Sequence, residues 1–218
     1  MPAGPGPSVA ERLEGVQDRI RRAGRDPAQV EVVAITKGFP LAACQEALRC
    51  GLRSLGENRV QEALPKLQAL PQAEWHLVGH LQSNKVRLAA GRFALIQSVD
   101  SLDLAQAIAR RKPDQAVLLE VNVAREAQKH GCDPSLAVDL AERVAALLPL
   151  QGLMALGPAG RDPQPAFEEL HRLREQAESR LRRPLPVLSV GMSDDFEVAI
   201  RCGSTMLRLG RAIFGERP

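Results

Sequence analysis

A chain of 218 residues with 44% hydrophobic and 25% charged side chains has the composition of a globular domain and the length of a single α/β barrel. Its net charge of +3 contains no block of like charge and its aromatic content is 3%, which disfavours a nucleic-acid-binding surface built on basic tracts or on base stacking. Four scattered cysteines, Cys44, Cys50, Cys132 and Cys202, form no C-x-x-C pair, so reduced thiols, a cytoplasmic location and no metal site are expected.

In chain order, residues 1–8 read as a flexible Pro/Gly-rich N-terminus, without the apolar stretch of a signal peptide, and residues 9–24 as an amphipathic helix closed by Gly24. The apolar run 31–36 reads as a buried strand; it ends in Lys37, and Gly38 and Pro40 stop it. A lysine placed there is partly desolvated, which lowers its pKa, and a neutral amine can condense with an aldehyde. Taken alone, the segment reads more simply as a solvated loop lysine. Helices and strands then alternate. Helices are expected at 41–50, 58–69, 83–90, 101–111, 134–147, 164–182 and 193–201, with strands at 53–56, 75–79, 93–98, 116–122, 151–155, 186–190 and 205–209. No stretch approaches ~18 consecutive apolar residues, so no membrane span is expected.

Eight strands with short crossover connections predict a single (β/α)8 TIM barrel over 9–218, with an extra N-terminal helix. An open doubly wound sheet would show a glycine-rich phosphate turn after its first strand, where this chain has Lys37-Gly38-Phe39-Pro40. In a barrel, functional groups gather at the C-terminal strand ends. The polar and glycine clusters fall there: Lys37, Gly56-Glu57-Asn58, Gly79-His80, Ser98, Asn122, Met154, Ser189 to Ser193 and Arg208 to Gly210. Each has a plainer structural reading as well; Ser193, for instance, would serve simply as a helix cap. Arg208 stands within an apolar strand and needs an acceptor or an anion; a carboxylate such as Glu57 is one solution. The loops after the last two strands, with Ser189, Gly191, Met192, Ser193 and Gly210, make a phosphate cup. An aldehyde-binding amine facing a phosphate cup points to pyridoxal 5′-phosphate, with Arg208 toward its ring nitrogen.

The motifs Ala34-Ile35-Thr36-Lys37, Gly56 to Glu62, Glu74 to Lys85, Gly152 to Ala155, Leu188 to Asp195 and Gly203 to Gly215 lie in one order along the chain. In them the sequence resembles the YggS/PROSC family, the pyridoxal phosphate homeostasis proteins. The resemblance implies a fold-type III barrel like the N-terminal domain of alanine racemase. It also implies a Schiff base at Lys37, phosphate contacts around Ser189, Gly210 and Arg211, and Arg208 by the pyridine nitrogen. Asn58, His80, Ser98, Met154, Gly191, Met192 and Ser204 complete the expected cofactor-binding set. Lys129 matches a surface lysine that takes a second cofactor molecule in a relative, and Phe39 stands where many relatives carry a second lysine.

Three functions compete. One is a carrier that buffers pyridoxal phosphate or delivers it to apo enzymes, as a monomer with little or no catalysis. Another is a racemase- or lyase-like enzyme acting on amino acids. The third is an aldolase-like barrel for a phosphorylated aldehyde or sugar. The chain has no tyrosine, and it is expected to end without the β domain from which alanine racemases draw a tyrosine base; both argue for the carrier.

Overall fold

The computed structural model describes residues 6–217, so most of the N-terminal segment expected to be flexible lies outside the described residues. Eight parallel strands close into one barrel in sequence order: β1 Glu31–Ile35, β2 Ser54–Glu57, β3 Glu74–Leu77, β4 Leu95–Val99, β5 Val117–Glu120, β6 Leu150–Met154, β7 Val187–Ser189 and β8 Met206–Leu209. The closing pair is β1 with β8, in register from Glu31↔Met206 to Ala34↔Leu209. Helices connect the strands and cover the outside: α1 Val9–Arg22 ahead of the barrel, then α2 Leu41–Arg49, α3 Val60–Ala69, α4 Val86–Ala89, α5 Leu102–Ala109, α6 Ala137–Ala145, α7 Gln164–Leu181, α8 Phe196–Arg201 and α9 Arg211–Phe214. The expected barrel and its extra first helix are thus present.

Alternation along the strands splits the apolar residues into two layers. Val33, Ile35, Leu95, Leu118, Met154 and Met206 form a small cluster inside the barrel. Ala34, Leu55, Leu77, Ile96, Leu119, Leu153 and Leu188 pack outward against the helices, where Ile20, Ile108, Phe167 and Phe196 are fully buried. α1 opens on a capping box in which the Ser8 hydroxyl accepts from Glu11 N–H and the Glu11 carboxylate accepts from Ser8 N–H at 2.7 Å. It stops at Gly24, whose φ of +95° suits the residue just past a helix end.

Several expected elements shift. The helix at 83–90 divides into a 3₁₀ turn, Ser83–Lys85, and the one-turn α4. α8 begins only at Phe196, and Ser193 is not its cap: its Oγ accepts from Ala212 N–H at 3.1 Å and ties two loops together. α9 was not foreseen, because four residues after a strand are too few to show a helical period.

β6 and β7 approach so closely that a Cβ on Gly152 would stand 1.8 Å from the Val187 carbonyl oxygen. Gly152→Ala should therefore separate a barrel strand pair, at about 3 kcal/mol, and thermal unfolding should show Tm lowered by roughly 10 °C. An unchanged Tm would mean that the pair has slack.

Candidate functional site

The mouth is the C-terminal end of the strands. β1 delivers Thr36 outward and then Lys37 in a turn closed by Phe39 N–H donating to Thr36 O at 3.0 Å. The Lys37 amine is half-buried and, among the described residues, has neither a salt bridge nor a hydrogen bond. Desolvation lowers its pKa; Arg217 and then Arg208 add repulsion, while Glu57 acts the other way. Glu57 faces outward to α3, where one oxygen accepts from Thr36 Oγ1 and Lys66 Nζ, both at 2.6 Å. The two lysines are thereby sorted: Lys66 is committed to a carboxylate, and Lys37 is available.

The Glu57 partnership corrects one option for Arg208. Arg208 on β8 is buried, 4% exposed, and no carboxylate lies within salt-bridge distance of it among the described residues. Its Nη1 donates to the Ser189 carbonyl at 2.8 Å and the Ser189 hydroxyl at 2.7 Å, and its Nη2 to the Ala155 carbonyl at 2.7 Å. A guanidinium has five N–H donors, so Nε–H and one Nη2–H remain uncommitted. Desolvation brings its pKa down to about 10, against the pull of Glu120 and Asp195, so it stays a cation at neutral pH. A buried cation with only neutral acceptors invites a further partner.

Two loops face each other beside it. In the loop after β7, Gly191 has φ +103° and an added Cβ would meet Ala199 and Leu207 within 3 Å, so its glycine is required by the protein itself. Gly210 after β8 differs: a Cβ there would meet Ile35 O at 3.7 Å, an ordinary van der Waals contact, so packing alone does not require its glycine. The loops are stitched by the Ser193–Ala212 hydrogen bond and by the Arg211–Asp194 ion pair. Met192 is exposed, and its N–H is already held by Asp195 Oδ1 at 2.6 Å.

The remaining expected residues divide. Asn58 is half-buried at the end of β2, and Met154 is buried in the inner cluster below the mouth. His80 stands after β3, stacked on His130 with centroids 3.8 Å apart and planes 9° apart, its Nδ1 3.3 Å from Asp100. These three have the donor types for a metal ion, but parallel rings keep their in-plane lone pairs from converging on one point. Ser98 and Ser204 have their hydroxyls committed to backbone carbonyls. Ser98 alternates with inward Gln97 and spends its hydroxyl on Gly79 O at 2.7 Å. Ser204 precedes β8, and its hydroxyl holds Val190 O at 2.7 Å. Lys129 is engaged by Gly157 O at 2.7 Å and Glu126 at 3.1 Å.

Sequence reading missed Glu120. It ends β5 at 4% exposure with Oε2 unpartnered, and burial, then Asp100, pushes its carboxyl up to about 7 against the opposing pull of Arg208. Period-two alternation through Val117–Val121 puts Glu120 on the same inner face as Leu118, a signal that was available.

The fold and this mouth define a class, the alanine racemase N-terminal-domain barrels: the family model "Alanine racemase, N-terminal domain" matches residues 12–218. Alanine racemase of Corynebacterium glutamicum superposes with TM-score 0.77 over 96% of this chain and 61% of its own, at 15% identity, a likeness of fold. More specific relatives carry the name pyridoxal phosphate homeostasis protein. The one from Pseudomonas aeruginosa is 43% identical over 96% of both chains, and the one from Aquifex aeolicus is 40% identical over 96% of this chain and 99% of its own. PipY of Synechococcus elongatus, solved with PLP bound, superposes with TM-score 0.83 at 34% identity over 95% of this chain and all of PipY. The chain belongs to the pyridoxal phosphate homeostasis protein family.

Proposed function

We propose that this barrel binds pyridoxal 5′-phosphate at its mouth and buffers or delivers it, with little or no catalysis. The observation that carries the reading is Arg208, a buried cation bonded among the described residues only to neutral groups, beside an amine of lowered pKa. Three features fit the ligand. Lys37 offers a free amine for the aldehyde, Gly210 puts no side chain in the way of a phosphate beside its loop, and Arg208 has two N–H groups left for a ring nitrogen. When bound, the cofactor would supply an aldehyde for covalent attachment and a ring whose electron demand depends on protonation of its nitrogen. Arginine does not give up its proton, so Arg208 would hold that nitrogen as a donor and leave it unprotonated. A homologue solved with PLP supports the reading.

The carrier reading takes the protein as a cytoplasmic monomer with four free thiols, passing its cargo to apo enzymes. No helix among the described residues is long and apolar enough to cross a membrane. One observation favours the racemase- or lyase-like alternative: a carboxyl near 7, as at Glu120, suits general acid–base work. The loaded protein should nonetheless show no α-proton exchange in deuterium oxide across a panel of amino acids, and should hand pyridoxal phosphate to an apo enzyme. Exchange of any amino acid at ~1 per second or faster, an ordinary enzymatic rate, would establish the enzyme and end the carrier reading.

A further inference from the structure

The barrel interior is not wholly apolar. A file of buried polar groups crosses it from the mouth to the opposite end. Arg208 Nη1 donates to Ser189 Oγ at 2.7 Å, and Ser189 Oγ donates to Gln97 Oε1 at 2.7 Å. Gln97 Nε2 then meets His76 Nδ1 at 3.0 Å, and His76 Nε2 faces Glu31 Oε1 at 3.8 Å. Gln97, Ser189 and Arg208 are each buried, and His76 is 3% exposed.

The donor directions are fixed from the mouth. Arginine can only donate, so Ser189 Oγ accepts from it and its own proton turns to Gln97 Oε1. That orients the amide with Nε2 toward His76, and Nε2 also lies 3.2 Å from the Met206 sulfur, a second acceptor. His76 Nδ1 therefore accepts, and its proton sits on Nε2, aimed at Glu31. Burial depresses the His76 pKa to about 4, so the ring stays neutral at ordinary pH. Glu31 is anchored by Ser54 Oγ donating at 2.6 Å, and Glu74 is its like-charged neighbour. The same tautomer argues against reading Glu31, Glu74 and His76 as a metal site, because a metal would need a lone pair on Nε2.

We propose that His76 and Gln97 are positioning residues for Arg208: a one-directional hydrogen-bonded file from Arg208 to His76, with the Glu31 carboxylate 3.8 Å beyond the ring, locks the guanidinium in the orientation it presents at the mouth. Without it, Ser189 Oγ would lose its acceptor and be free to turn, and Arg208 would keep only two carbonyls. A long side chain in an otherwise apolar interior needs such a second support to hold one rotamer. The inference rests on the cofactor reading for what Arg208 meets, but the file is a property of this chain alone.

The test has two arms. In the apo protein, imidazole ¹⁵N spectra should show His76 as the Nε2–H tautomer, with no titration from pH 8 down to 5. Arg208→Met should shift those resonances. A His76 that titrates near its ordinary ~6.5, or that ignores Arg208→Met, would overturn the file whether or not any cofactor binds. In the pyridoxal phosphate-loaded protein, Gln97→Met and His76→Phe should move the visible absorption maximum and raise the dissociation constant about tenfold, with the Lys37 attachment retained. Glu31→Gln, half-exposed at the far end and safe for folding, should move the maximum in the same direction by less. If the folded variants, Glu31→Gln included, match the wild type in both readouts, the positioning role is wrong. A wild type that takes up no pyridoxal phosphate would instead sink the cofactor reading and leave the apo arm to decide the file.

Discussion

Lys37→Ala should abolish covalent retention of pyridoxal phosphate while leaving the barrel folded. Its amine contributes no hydrogen bond or ion pair among the described residues, and its stem is only half-buried, so truncation should change stability by no more than about 1 kcal/mol. Chemistry depends on it entirely. The competing amines near the mouth are committed, Lys66 to Glu57 and Lys129 to Glu126 and Gly157. Borohydride trapping followed by peptide mapping should give one adduct on Lys37 in the wild type and none in the variant. The pH dependence carries a sign. Desolvation and two arginines disfavour the ammonium, so the folded-state pKa lies below the ordinary lysine value of ~10.4. The neutral amine is then the larger fraction at a given alkaline pH, and attachment should speed up with rising pH through a midpoint below that of a solvated lysine. An adduct mainly on Lys66, Lys85 or Lys129, or a midpoint at the ordinary lysine value, would remove Lys37 from the centre of the site.

How much of this was legible in the sequence depends on which face a residue takes. The barrel was readable because eight apolar runs alternate with helical periods and the polar clusters fall at the strand ends. Lys37 and Arg208 were readable because each interrupts or ends an apolar strand. Ser98 and Gln97 show the limit. They are adjacent in β4, and one residue of phase decides which enters the barrel; the strand was expected at 93–98 and is found at Leu95–Val99, and Gln97 is the inward one. Glu120 was lost in the same way, as an acid at the end of an apolar strand whose inward phase was not followed. Ser204 was expected in the cofactor-binding set; it precedes β8, and its hydroxyl is spent on Val190 O. The Glu57–Lys66 pair could not be read at all, since it joins a strand to a helix through side chains nine residues apart with no periodic mark. Long-range partners of this kind are set by how the layers close.

Arg208→Glu should have the second large effect, in two separable parts. Removing the guanidinium takes away its three hydrogen bonds to Ser189 and Ala155 and places a carboxylate near Glu120 and Asp195. Breaking such a buried charged arrangement costs about 3–5 kcal/mol, so Tm should fall by roughly 10 °C. Arg208→Met, which removes the same donors but adds no charge, should be destabilised less, and the difference measures the acidic repulsion. The spectral part is specific to the ring. A carboxylate beside the ring nitrogen favours its protonated form, whereas methionine favours neither form. The visible band of bound pyridoxal phosphate should therefore shift in Arg208→Glu in a direction that Arg208→Met does not reproduce, with slow side reactions toward amino acids gained only in the glutamate variant. Both variants must be compared below their own unfolding temperatures, where far-UV circular dichroism confirms the barrel. If the two bind pyridoxal phosphate with the same band as the wild type, Arg208 does not face the ring, and its buried charge must answer to some other partner at the mouth.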